Sequence, residues 1–191
     1  MVYLISRVFL KIVFKLFFRL KVLGAENVPA EGSLIFAANH SSYADPPLMG
    51  ASVPRSLYFM AKKELFDAPA FGWFIKKLHA FPVDRGTVDF SALKNAIKIL
   101  TEGNALLIFP EGTRKKKGAA KKLKNGAVML SVTTGAPVIP VAIINSDRIF
   151  RLPKLVVVFG ESVRFNDGDN LSAATESVML KIEKMKRENA A

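Results

Sequence analysis

Two short stretches of the chain carry side chains fit for acid–base and anion chemistry. Residues 39–45 read Asn-His-Ser-Ser-Tyr-Ala-Asp, with Asp45 five positions after His40. That spacing suits a turn that folds back on itself. A carboxylate accepting a hydrogen bond from one imidazole nitrogen leaves the other nitrogen free as a base. His40 and Asp45 therefore have the form of the orienting pair of a catalytic triad without its nucleophile. Ser41 and Ser42 stand too close to the histidine in sequence to fill that role. The same pair also fits a plain loop histidine followed by a helix-capping aspartate.

The second stretch, residues 109–114, reads Phe-Pro-Glu-Gly-Thr-Arg. Gly112 permits a backbone turn closed to other residues, and the planar fork of Arg114 suits phosphate. Between the two stretches, Ala80–Arg85 (AFPVDR) ends in another arginine. Taken singly, each arginine also fits an ordinary surface position.

These loops need elements to hold them, and the apolar pattern supplies strands. Short apolar runs at 33–38, 57–60, 80–83, 105–109, 138–144 and 155–159 read as strands. Between them, helical spacing or helix signals occur from Asp45-Pro46-Pro47, over 69–78, 88–100 and 126–134, and in the last twenty residues. Strands separated by helices predict an α/β domain with a largely parallel mixed central sheet flanked by helices. Each chemical stretch follows a strand, and ligands bind at such strand ends in open α/β sheets.

Composition narrows the chemistry. The chain has 191 residues, no cysteine and two histidines, His40 and His79. Thiol nucleophiles, disulfides and Cys-ligated metals are excluded, a multi-histidine metal site is disfavoured, and no metal is expected. Half the residues are apolar, which excludes intrinsic disorder. With 28 basic against 16 acidic side chains the formal charge is +12, pointing to nucleic acid or an anionic membrane. The lysine-rich stretch 115–124 (KKKGAAKKLK) lacks interleaved aromatics, which argues against nucleic acid. It reads either as a solvated basic loop or as a dock for anionic lipid. His79 is assigned a structural role.

Residues 1–20 form a segment of their own. Arg7, Lys11, Lys15 and Arg19 recur every four residues among phenylalanines and aliphatics, and the first acid is Glu26. A membrane-spanning helix needs about 20 mostly apolar residues, which these bases prevent. The expectation is an amphipathic helix lying in an anionic membrane interface, with residues 21–191 as the globular domain. A helix packed on the core with snorkelling lysines is the alternative.

With these blocks in view, the chain resembles the glycerolipid acyltransferases, on the branch that acylates 1-acylglycerol-3-phosphate. Asn39-His40 through Asp45 matches the His-x4-Asp block, and Phe81 through Arg85 the second block. Phe109 through Arg114 matches the third letter for letter, and Val138–Val141 the fourth. Gly24–Pro29, Phe71-Gly72-Trp73 and Leu123-Lys124-Asn125-Gly126 agree between the blocks. The lysine-rich stretch departs from the mixed Ser/Asp/Gly turn common in relatives, and the resemblance adds an acidic acyl donor to what it could dock.

The resemblance implies direct transfer from acyl-CoA or acyl carrier protein to the acceptor hydroxyl, giving phosphatidic acid, with no cofactor. His40 is then the base and Asp45 its orienting partner. Arg85 and Arg114 hold the acceptor phosphate, while Glu111, Gly112 and Thr113 shape the acceptor pocket, with Lys124 as a further candidate. The expected setting is the cytoplasmic face of the cell membrane, as a peripheral protein. Two alternatives stand beside it: transfer to glycerol-3-phosphate or another lysophospholipid on the same scaffold, and a non-enzymatic basic membrane-binding module.

Overall fold

The computed structural model describes residues 1–84, 89–112 and 123–190. Among these residues seven strands form one sheet: β1 (Lys21–Leu23), β2 (Leu34–Ala38), β3 (Leu57–Lys62), β4 (Ala80–Val83), β5 (Ala105–Ile108), β6 (Val138–Ile144) and β7 (Val156–Phe159). Their order across the sheet is β1-β7-β6-β2-β5-β3-β4. Strands β6, β2, β5, β3 and β4 run parallel, β7 lies antiparallel to β6, and β1 is parallel to β7. The sheet is thus largely parallel and mixed, as the sequence predicts.

Among the described residues six α-helices surround it: α1 (Val2–Phe18), α2 (Asp45–Ser52), α3 (Pro69–Lys77), α4 (Phe90–Thr101), α5 (Gly126–Thr134) and α6 (Leu171–Glu188). Strands β2, β5 and β6 are buried along their whole length, so both faces must be covered. Alternation along β2 sorts the core: Leu34, Phe36 and Ala38 face Phe14 of α1 and Leu48 and Met49 of α2. Ile35 and Ala37 face the other side, with Ala96 and Ile99 of α4, Leu130 of α5 and Ile182 of α6.

Two local expectations are corrected. Asp45 is the first residue of α2 rather than its cap, and its carboxylate turns back to the amides of Ser41 and Ser42. The helix expected from residue 88 starts at Phe90, because Asp89 caps it by accepting from the Ala92 amide. Strand β1 had no expectation; three residues on a sheet edge leave little apolar pattern.

Helix α1 has one side packed on the core and one side open. Its inner side buries Phe14 and lays Leu10 and Phe18 on the core. Its outer side leaves Leu4, Ile5, Val8, Phe9, Ile12, Leu16 and Phe17 exposed. Among the described residues no helix is long and apolar enough to cross a membrane.

Candidate active site

The two chemical stretches meet because β2 and β5 are hydrogen-bonded neighbours running the same way. The chain leaves β2 through α2 on one face of the sheet, and leaves β5 through α5 on the other. Adjacent parallel strands whose following helices part to opposite faces open a crevice at their carboxyl ends. His40 stands two residues past β2 and Glu111 three residues past β5. They lie at the same mouth.

The approach to His40 is fixed from behind. Asn39 donates from Nδ2 to the carbonyl of Ile143 at 2.9 Å, and its Oδ1 accepts from the Ile143 amide at 2.7 Å. This side chain thereby extends the pairing of β2 with β6 beyond the last strand residue. The sequence does not mark Asn39 for this work, although a buried amide just past an apolar strand must find partners.

His40 itself is 7% exposed and Asp45 fully buried. Nδ1 of His40 lies 2.8 Å from Oδ2 of Asp45. The same Oδ2 accepts from the amides of Ser41 at 2.7 Å and Ser42 at 2.8 Å. Successive backbone N–H groups aimed at one carboxylate form an anion nest. Oδ1 of Asp45 is buried and makes no hydrogen bond among the described residues. With Nδ1 donating to the carboxylate, Nε2 is the nitrogen left to accept a proton.

Residues after β5 complete the wall. The ring of Phe109 stacks on the imidazole with centroids 4.0 Å apart. Its place between a strand and the Pro-Glu-Gly turn was legible, its role as a platform was not. Glu111 is 5% exposed, and its Oε1 accepts a 3.4 Å hydrogen bond from the His40 amide. Gly112 adopts φ 68°, closing a tight turn in which its amide donates to the Phe109 carbonyl at 2.8 Å. A Cβ on Gly112 would stand 2.9 Å from Cε of Lys124, so the lysine stem lies against the turn. The Lys124 amide donates to the Pro110 carbonyl at 2.7 Å, holding residues 110 and 124 together.

His40, Asp45, Glu111, Gly112 and Lys124 are thus brought together. Arg85, Thr113 and Arg114, with residues 115–122 of the lysine-rich stretch, lie outside the described residues. Among the described residues no His, Asp and Glu side chains cluster in a way that would hold a metal ion. His79 is at the other end of the sheet, just before β4. Its ring is stacked between Tyr3, with centroids 4.5 Å apart, and Tyr58, at 4.8 Å. Burial pushes its imidazole below the usual histidine pKa.

This geometry can deprotonate a hydroxyl. It offers a fixed, nearly buried imidazole with its tautomer set by a carboxylate, at the mouth of an open sheet.

The acyltransferase family model matches residues 19–144 of the chain. A 1-acyl-sn-glycerol-3-phosphate acyltransferase of Bacillus subtilis (strain 168) is 35% identical over 186 residues, covering 92% of each chain. One of Pseudomonas aeruginosa is 36% identical over 128 residues, 65% of this chain and 49% of that one. The crystal structure of the 1-acyl-sn-glycerophosphate acyltransferase PlsC from Thermotoga maritima superposes with a TM-score of 0.81 and 29% identity. That match covers 97% of this chain and 78% of the other.

Proposed function

The chain belongs to the acyltransferase family, and from that premise we propose that it moves a fatty acyl group from a thioester onto the free hydroxyl of 1-acylglycerol-3-phosphate, producing phosphatidic acid. The observation that carries this is the His40–Asp45 pair at the crevice between β2 and β5. Relatives similar along most of the chain bear the name of this activity.

Nε2 of His40 takes the hydroxyl proton as the acceptor oxygen bonds to the thioester carbonyl carbon. Asp45 holds the imidazole and stabilises the positive charge it gains. Collapse of the tetrahedral adduct breaks the carbon–sulfur bond, and the departing thiolate takes that proton from His40. Base catalysis of this kind is worth about 10²–10⁴-fold, and holding hydroxyl against thioester supplies the rest. No acyl-enzyme forms, in keeping with a chain that has no cysteine. Arg85 and Arg114 bind the acceptor phosphate; Glu111, Gly112, Thr113 and Lys124 border the glycerol. The donor, acyl-CoA or acyl carrier protein, is a co-substrate, and the transfer uses no cofactor.

The acceptor resides in a bilayer, and the exposed apolar side of α1 supports peripheral binding there. Drawing a lipid tail into water costs roughly 0.8 kcal/mol per CH₂, so a site docked on the leaflet avoids that cost. Lys11, Lys15 and Arg19 are exposed along the same helix and its C-terminal cap, each adding about 1 kcal/mol of attraction to an anionic surface. The face is the cytoplasmic one, where thioester donors are made.

Purified protein given lysophosphatidic acid with acyl-CoA or acyl carrier protein should form phosphatidic acid. Monoacylglycerol, lacking the phosphate, should turn over far more slowly. Faster turnover of glycerol-3-phosphate, or of a lysophospholipid with a blocked phosphate, would replace this acceptor with that one.

A further inference from the structure

Helix α3 is built unlike an ordinary surface helix of this protein. Helix α4 hides Ala92, Ala96, Ile99 and Leu100, whereas α3 hides only Gly72. A Cβ on Gly72 would stand 2.7 Å from the Phe66 carbonyl, so the backbone of α3 lies directly on the turn before it, Lys63–Phe66. The aromatics of α3 then have nowhere to go but outward. Phe71, Phe74 and Trp73 are all exposed, Trp73 by 57%, as is Leu65 of the preceding turn.

The charges around this apolar surface are one-sided. Residues 62–77 hold Lys62, Lys63, Lys76 and Lys77 against Glu64 and Asp67. Glu64 is engaged with Lys62 at 2.6 Å. Lys77 lies 5.9 Å over the Trp73 ring, so this cation keeps company with the exposed aromatic. Exposed aromatics rimmed by lysines suit the boundary between acyl chains and anionic headgroups.

Helix α3 also shares a side of the molecule with α1. The crossovers β2-α2-β3 and β3-α3-β4 step the same way along the sheet, and right-handed connections then place α2 and α3 on one face. Helix α1 packs on that face with α2. The ends meet directly: Tyr3 stacks on His79, two residues after α3, and a cleft of about 380 Å³ is lined by Val2, Tyr3, Lys76 and Lys77. The start of α1 and the end of α3 therefore lie side by side on one face of the sheet.

We propose that α3 is a second membrane anchor, seating Phe71, Trp73 and Phe74 in the same anionic leaflet that α1 covers. The proposal rests on the reading of α1 as interfacial. It makes the bilayer contact two-legged, with one leg across the sheet face and the other at the β3–β4 edge.

The test uses a built-in probe, since Trp73 is the only tryptophan of the chain. Full-length protein is mixed with vesicles of phosphatidylcholine and phosphatidylglycerol, while flotation reports binding and Trp73 fluorescence reports α3. The expected result is a blue shift, protection from iodide and quenching by lipids brominated on the acyl chain. Trp73→Ala and Phe74→Ser should each weaken vesicle binding by about tenfold. Flotation with unmoved, bromolipid-insensitive emission would overturn the α3 anchor and leave α1 as the sole contact. Acyl transfer to dispersed acceptor without any flotation would overturn both membrane contacts and leave the enzymatic reading intact. A blue shift on raising protein concentration without lipid would assign the face to self-association, and would also overturn the proposal.

Discussion

The imidazole of His40 lies nearly flat on the ring of Phe109, with centroids 4.0 Å apart and planes 16° from parallel. One ring follows β2 and the other follows β5, so the stack couples two loops that sequence separates by almost seventy residues. It leaves the imidazole little freedom to rotate about its bond to Asp45. Phe109→Leu keeps an apolar filler and loses the flat platform. An aromatic pair is worth about 0.5–1.5 kcal/mol, so kcat should fall about 2- to 10-fold with KM little changed. Steady-state kinetics would show it, and an unaltered kcat would remove Phe109 from the positioning of the base.

His40→Ala should reduce acyl transfer by about 10²–10⁴-fold with circular dichroism unchanged, because the ring belongs to a loop. Asp45→Asn should also cost orders of magnitude, since the amide no longer balances the charge on the imidazole. A His40→Ala protein keeping a tenth of wild-type kcat would show that another group takes the proton.

Gly112→Ala meets two obstacles that can be separated. The left-handed φ of 68° costs a non-glycine residue about 1–2 kcal/mol, and the new methyl collides with the Lys124 stem. Adding Lys124→Ala should restore the steric part and leave the conformational part. Thermal unfolding of the single and double variants should therefore give non-additive losses; additive losses would mean the lysine does not press on the turn.

His79 gives stability a pH dependence whose sign follows from burial. Its folded pKa is lowered, so as acid is added the unfolded chain takes up a proton before the folded one does. Its contribution is complete above the ordinary histidine pKa of about 6.5 and is lost as pH falls through the lower, folded value. His79→Asn, a residue tolerant of the φ of 64° found there, should flatten Tm against pH between about 7.5 and 5. Parallel slopes for both proteins would exclude His79 as the source.

The two sides of α1 should respond differently to substitution. Phe14→Ala empties a site only 5% exposed and should cost about 3–5 kcal/mol in unfolding free energy. Phe9→Ser, on the exposed side, should leave unfolding within about 0.5 kcal/mol and weaken flotation with anionic vesicles. Equal binding by Phe9→Ser and wild type would argue that the exposed side does not touch lipid.

How far the sequence could be read follows from how each part is encoded. Strands β2 and β6 are unbroken apolar runs between turn signals, and their limits were plain. The His40–Asp45 spacing pointed to a folded-back pair, and the blocks up to Phe109–Arg114 tied it to a family of enzymes. Strand β1 is only Lys-Val-Leu on an edge, too short for alternation to register. Helix α1 is apolar nearly all round, so periodicity could not say which side packs inward; Phe14 is chosen by the sheet, not by the helix. Asn39 clamping Ile143 and Phe109 under His40 are contacts between distant segments, and a linear pattern does not encode who faces whom.

The pairing of β1 with β7 has a consequence in time. Lys21 lies beside Val156, so the strand that follows α1 meets its neighbour only after most of the chain has been made. At about 5–20 residues per second the 135 residues from Val22 to Val156 take roughly 7–27 s to synthesise. Through that interval β1 has no strand to pair with, the sheet face that buries Phe14 lacks β7, and Phe9 stands exposed on the outer side. The lipid surface is the apolar partner at hand. On the interfacial reading of α1, recruitment to the leaflet precedes completion of the catalytic domain, and the enzyme folds where its acceptor already is.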